Sequence, residues 1–137
     1  MFFNQWAARA VHGALFPVII LDIWARIHEK DKAYFRESRE KRVGMALEQF
    51  AGDPKKRLAD FRGALDPLRP VLVQHPFISG HGPGYADYIV FGAFQWARCI
   101  SPIRLLEPDD PVYAWRERLL DLFGGYARNA KGFPVWA

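Results

Sequence analysis

Apolar residues along this 137-residue chain recur at steps of three and four, the period that places them on one face of an α-helix. Runs that alternate apolar and polar, the mark of half-buried strands, are missing. Phe2 to about Leu15 reads as a first helix, with Phe2, Trp6 and Ala10 along one side and Phe3 and Val11 along another. Pro17 removes a backbone donor and crowds the carbonyl one turn back, so the helix is expected to stop or kink there. The pattern resumes through Phe16, Ile19, Ile20, Ile23, Trp24 and Ile27. Asp31 is placed to cap a charged helix that runs to about Val43.

Asp53-Pro54 is a strong start signal, an N-cap acid followed by proline at the first helical position. Leu58, Phe61, Leu65, Leu68 and Leu72 then form a buried stripe, in a helix that Pro67 and Pro70 should bend. A glycine-rich loop from Phe77 to Gly84 leads into Tyr85 to Ile100. That segment is apolar almost all round and is expected at the centre of a bundle. Asp110-Pro111 repeats the acid–proline start. Val112, Trp115, Leu119, Leu122 and Phe123 make the last stripe, closed by Gly124-Gly125. Phe133 and Trp136 point to a tail that docks. The expected fold is therefore all-α, five or six helices around a buried central one, in a single domain over residues 1–137.

Composition supports a packed core: half the residues are apolar and 15% are aromatic, enough to fold without disulfide or metal staples. The net charge of +4 is spread among mixed signs, as in Arg36-Glu37-Ser38-Arg39-Glu40-Lys41-Arg42. The cluster Lys55-Lys56-Arg57 is too short to track a phosphate backbone, so no nucleic-acid partner is expected. Cys99, the single cysteine, rules out a disulfide within the chain and favours a reducing compartment. The apolar run Ala14 to Leu21 is too short to span a bilayer, and Arg9 before it lacks a following signal-cleavage site. A cytoplasmic protein with no membrane partner is expected.

Catalytic chemistry has few candidates. His12, His28, His75 and His81 form no pair at a helical spacing, and Cys99 has no second ligand near it, so no metal site is expected. Ser38, Ser79 and Ser101 lack a nucleophile elbow, and Ser79 beside His81 does not make a triad. Cys99, inside the apolar helix, reads as a small buried hydrophobe. The loop Gly80-His81-Gly82-Pro83-Gly84 lacks the lysine and hydroxyl of a phosphate loop and reads as a turn. Asp87 stands out. Three residues after Gly84, in the first turn of an apolar helix, it can accept from the N-cap amide and offset the helix dipole. Gly84 and Asp87 are thus the structural start of the central helix. Asp109 and Asp110, before Pro111, read as capping acids and not as a catalytic dyad.

The stretches Pro76-Phe77-Ile78-Ser79-Gly80 and Pro83-Gly84-Tyr85-Ala86-Asp87-Tyr88 resemble the loop and capping segment of the C-terminal domain of cytosolic glutathione transferases. Gly84 stands where that family commonly has serine or threonine. The continuation Ile89 to Arg98 is similar to the family's central helix. Asp109-Asp110-Pro111, Trp115 and Leu120-Asp121-Leu122-Phe123-Gly124-Gly125 resemble the bacterial β-etherase-like branch. The resemblance implies an all-α domain whose first helix and tail line an apolar substrate pocket. The substrate-binding residues expected on that basis are Phe3, Trp6 and Ala10, with Trp136 from the tail.

In that family a thioredoxin-like N-terminal domain binds glutathione and carries the activating residue. No βαβ pattern occurs here, and the chain opens on the first helix of the second domain, as a fragment would. The resemblance therefore implies glutathione for the full-length enzyme, a thioredoxin-like domain in cis, a hydrophobic electrophile as substrate, a homodimer, and no catalytic residue in this chain. The alternative expectation is a non-enzymatic interaction module on the same helical fold.

Overall fold

The computed structural model describes residues 2–133. Among them the chain forms eight α-helical segments and no strand beyond an isolated bridge between Phe77 and Gly80. The expected all-α class is what the structure shows. Helix α1 (Phe2–Trp6) continues through a π-helical stretch (Ala7–His12) into α2 (Gly13–Arg26). The break expected at Pro17 does not occur. Pro17 is buried, and the residue whose carbonyl its ring crowds is Gly13, which directly follows the wider π turns. Those turns also align the buried side. Ala7, Val11, Leu15 and Ile19 are all fully buried at successive steps of four, which would drift around a pure 3.6-residue helix.

The continuous run Phe2–Arg26 has 25 residues and is long and apolar enough, by length and composition alone, to cross a membrane. Here its stripe from Ala7 to Ile20 is packed into the core. A 3₁₀ turn (Glu29–Asp31) leads into α3 (Lys32–Val43). Asp31 occupies the N-cap position of α3 but makes no capping bond. His28 Nδ1 instead accepts from Lys30 N at 3.2 Å and closes the preceding turn. Arg36 pairs with Glu40 on α3 and with Glu48 on α4 (Leu47–Ala51), tying the two together.

Both acid–proline starts are as expected. Asp53 accepts from Lys55 N at 3.1 Å to open α5 (Pro54–Ala64). Asp110 accepts from Val112 N at 2.9 Å to open α8 (Pro111–Gly125). Pro67 and Pro70 break the expected long helix into α5, a 3₁₀ turn (Asp66–Leu68) and α6 (Arg69–Gln74). Arg69 bridges this break to α8, donating to Asp110 Oδ2 at 2.8 Å and to Asp66.

Helix α7 (Tyr85–Ile100) lies against α2, and Val90, Phe91, Ala93, Phe94 and Ala97 form its buried side. Phe61 and Trp115 meet Phe94 edge-on at 5.8 and 6.1 Å between ring centres. The last stripe departs from expectation at its end. The backbone of α8 leaves helical geometry at Leu122, and Phe123 takes φ 54°, a left-handed conformation that swings its ring into solvent.

Candidate functional site

Asp87 is fully buried, and its carboxylate collects four donors. Oδ1 accepts from Ile78 N at 2.7 Å and from Trp115 Nε1 at 2.8 Å. Oδ2 accepts from Gly84 N at 2.9 Å and Ser79 N at 3.2 Å. Burial alone would raise this carboxyl's pKa. The bonds from Trp115, Gly84, Ile78 and Ser79 outweigh burial and hold it below the ordinary carboxylate value. One side chain thus joins the loop, the start of α7 and the core tryptophan of α8. Gly84 has no side chain to return the capping bond. A Cβ there would collide with Oγ and Cβ of Ser79, which accounts for glycine at this position.

Three of the residues expected to bind a ligand, Phe3, Trp6 and Ala10, lie on the first helix. Phe3 and Trp6 are half-buried against the core, with ring centres 5.4 Å apart. Ala10 is also half-buried. The fourth expected residue, Trp136, lies outside the described residues. Phe2, Gln5, Trp6 and Arg9 border an open groove of about 470 Å³. Phe2 is 82% exposed.

The sequence reading missed an exposed face on α7. Along α7, Tyr85, Tyr88, Gly92, Trp96 and Cys99 are all exposed and recur at steps of three and four, so they form one outward row. An apolar helix was expected to be buried all round; here one side has no cover from the described residues. The row continues onto the first helix, which runs alongside in the same direction. Asn4 Nδ2 donates to Tyr85 Oη at 3.3 Å near one end, and Phe16 stacks on Trp96 near the other, at 6.3 Å and 17°. His12 lies half-buried between, and that burial lowers its pKa, favouring the neutral imidazole.

Cys99 is exposed and not buried as expected, because it falls on this outward row. The tail segment beside it is fastened by Arg98. Its guanidinium donates to the carbonyls of Ala127 (2.8 Å), Arg128 (2.8 Å), Ala130 (3.0 Å) and Phe133 (2.9 Å). Phe133 N returns a bond to Arg98 O at 3.0 Å, and the Arg26 guanidinium lies 4.3 Å from the Phe133 ring centre. Arg98→Ala is therefore expected to speed tryptic cleavage at Arg128 and Lys131 by about tenfold, since segments with few remaining anchors open locally. An unchanged cleavage rate would show that the tail is held by other contacts.

A cavity of about 30 Å³, bordered by Phe94, Ala97, Ser101, Leu105, Arg116 and Leu120, has room for a water and not for a substrate. Among the described residues no cluster of three or more His, Cys, Asp or Glu side chains is assembled for a metal.

The chain belongs to the family described as the glutathione S-transferase C-terminal domain, whose sequence model matches residues 1–107. Among solved structures it is similar to glutathione transferase GSTFuA3 from Phanerochaete chrysosporium, with 20% sequence identity and a TM-score of 0.62. That match covers 90% of this chain and 47% of the other, so the chain spans about half the length of the transferase it resembles. At that identity the likeness carries the fold. Residues 109–125, which carry the resemblance to the β-etherase-like branch, fall outside the matched family segment.

Proposed function

We propose that this chain is the hydrophobic-substrate half of a glutathione-dependent transferase. The observation that carries the reading is a pair of uncovered apolar surfaces, one on the first helix and one along α7, with Phe2 and Tyr85 82% and 72% exposed. Phe2, Trp6 and the groove they border supply an apolar wall for a hydrophobic electrophile, and Arg9 at its edge offers a positive charge to an anionic conjugate. The outward row of α7 from Tyr85 to Trp96 is the seat for a thioredoxin-like domain in cis, since exposed apolar patches mark docking surfaces.

Glutathione, when bound on that domain, supplies the thiol that becomes the nucleophile. No βαβ unit occurs among the described residues, so this chain's part is binding and exclusion of water, not activation. The resemblance of residues 109–125 to the β-etherase-like branch makes an aromatic ether the preferred electrophile. A cytoplasmic setting suits the exposed thiol of Cys99. Pairing of two copies belongs to the same proposal. The interaction-module reading gains nothing from the family match.

The test uses 1-anilinonaphthalene-8-sulfonate, an apolar aromatic probe. Trp6→Ala is expected to weaken its binding about tenfold, as for an anchoring tryptophan. Equal affinity in both proteins would remove Trp6 from the wall. In the same samples, conjugation of glutathione to 1-chloro-2,4-dinitrobenzene should stay at the uncatalysed rate. Measurable catalysis would place the activating group in this chain.

A further inference from the structure

The loop between α6 and α7 carries a histidine on either side of a tight reversal. His75 and His81 are six positions apart, a spacing that no helix brings together. The fold closes that gap. Phe77 N donates to Gly80 O at 3.1 Å, and Gly80 N donates to Phe77 O at 3.0 Å. Gly80 turns the chain at φ 115°, a region that side chains rarely enter. The two imidazole rings end with centres 6.0 Å apart and planes at 89°. Both residues are exposed.

The loop is anchored on several sides. Asp87 accepts from Ile78 N and Ser79 N. Arg118 Nε donates to Pro76 O at 2.8 Å, and His75 N donates to Val71 O at 2.9 Å. Little ordering cost is left for a ligand that needs both rings at once.

A cation bound to a ring nitrogen at about 2.0 Å sits about 3 Å from that ring's centre, so two ligating rings lie about 5 to 6 Å apart. The observed 6.0 Å lies at the wide end of that span, and both rings are on exposed side chains that can turn a nitrogen toward a shared ion. Gln74 and Ser79 border the groove beside His75. We propose that His75 and His81 form a two-imidazole site for a late first-row divalent cation, Zn²⁺ or Cu²⁺, with water completing the coordination. Neutral imidazole suits both ions. The bound ion would staple the end of α6 to the entry of α7.

Calorimetric titration of the untagged protein with ZnCl₂ tests this. One saturable site near one ion per chain is expected, and His75→Gln and His81→Gln should each weaken it at least tenfold. His28→Gln should leave it unchanged. Zn²⁺ should also raise the melting temperature of the native protein and not of the two variants, because a ligand that binds only the folded state stabilises it. Cu²⁺ should show coupling to two ring nitrogens in its electron paramagnetic resonance spectrum. Absence of saturable binding up to about 1 mM Zn²⁺, or undiminished affinity in either variant, would overturn the proposal.

Discussion

Asp87→Ala is expected to destabilise the protein by about 3 to 5 kcal/mol, the cost of leaving buried donors without their charged partner. Four donors converge on this fully buried carboxylate, from Ile78, Ser79, Gly84 and Trp115, and the Trp115 N–H, itself fully buried, would lose its partner outright. The loss would be felt on both sides of α7's entry, because that one group reaches both the loop and Trp115 of α8. A second signature follows from its ionisation. Its pKa is held below the ordinary value, so the unfolded state takes up the proton first as pH falls. The stabilisation is therefore complete above the ordinary carboxylate range, near pH 4, and is lost as pH drops through the lowered folded value. Urea unfolding between pH 7 and pH 3 should show a flatter acid limb for Asp87→Asn than for the native protein. Parallel limbs would mean that Asp87 is not the ionised hub described here.

Trp115→Ala should cost a similar amount, about 3 to 5 kcal/mol, for a different reason. The indole is fully buried and packs edge-on against Phe91 and Phe94, at 6.4 and 6.1 Å between ring centres. Removing it leaves a cavity as well as an unmet acceptor on Asp87. Trp115→Phe separates the two effects, since it keeps most of the ring volume and removes the N–H. The two sites share a hydrogen bond, so Trp115→Phe and Asp87→Asn should not add. A coupling of about 1 kcal/mol or more is expected in a double-mutant cycle. Strict additivity would show that the 2.8 Å contact contributes nothing.

What could be read from the sequence was the locally encoded part. Asp53-Pro54 and Asp110-Pro111 start helices because capping geometry is settled within four residues. Asp87 was legible for the same reason, as an acid at the third position of an apolar helix. Its bond to Trp115 was not, because 28 residues separate them and only the packing of α7 on α8 joins them. Pro17 misled because a local rule was overridden by burial of the whole first helix and by the π turns before it. Cys99 and the exposed row of α7 misled in another way. A helix that is apolar all round looks the same whether its cover comes from its own domain or from another one. Phe123 left its stripe through a left-handed turn that its own periodicity did not mark. His75 and His81 met only through the closed loop.

For the candidate wall, the sequence singled out Phe3, Trp6 and Ala10, and the structure sets all three half-buried on the first helix. Phe2, read from periodicity on the same side as Trp6, borders the groove with it, and Gln5 and Arg9 complete it at helical steps that apolar periodicity alone does not mark.

The most direct measurement of the functional account is a chemical-shift map of the amide-labelled protein titrated with 1-anilinonaphthalene-8-sulfonate and, separately, with glutathione. The probe should move resonances of Phe2, Gln5, Trp6 and Arg9, and glutathione alone should move none of them. Probe shifts centred elsewhere, such as on Phe123 and Tyr126, or a saturable response to glutathione, would contradict the assignment of this chain as the hydrophobic-substrate half.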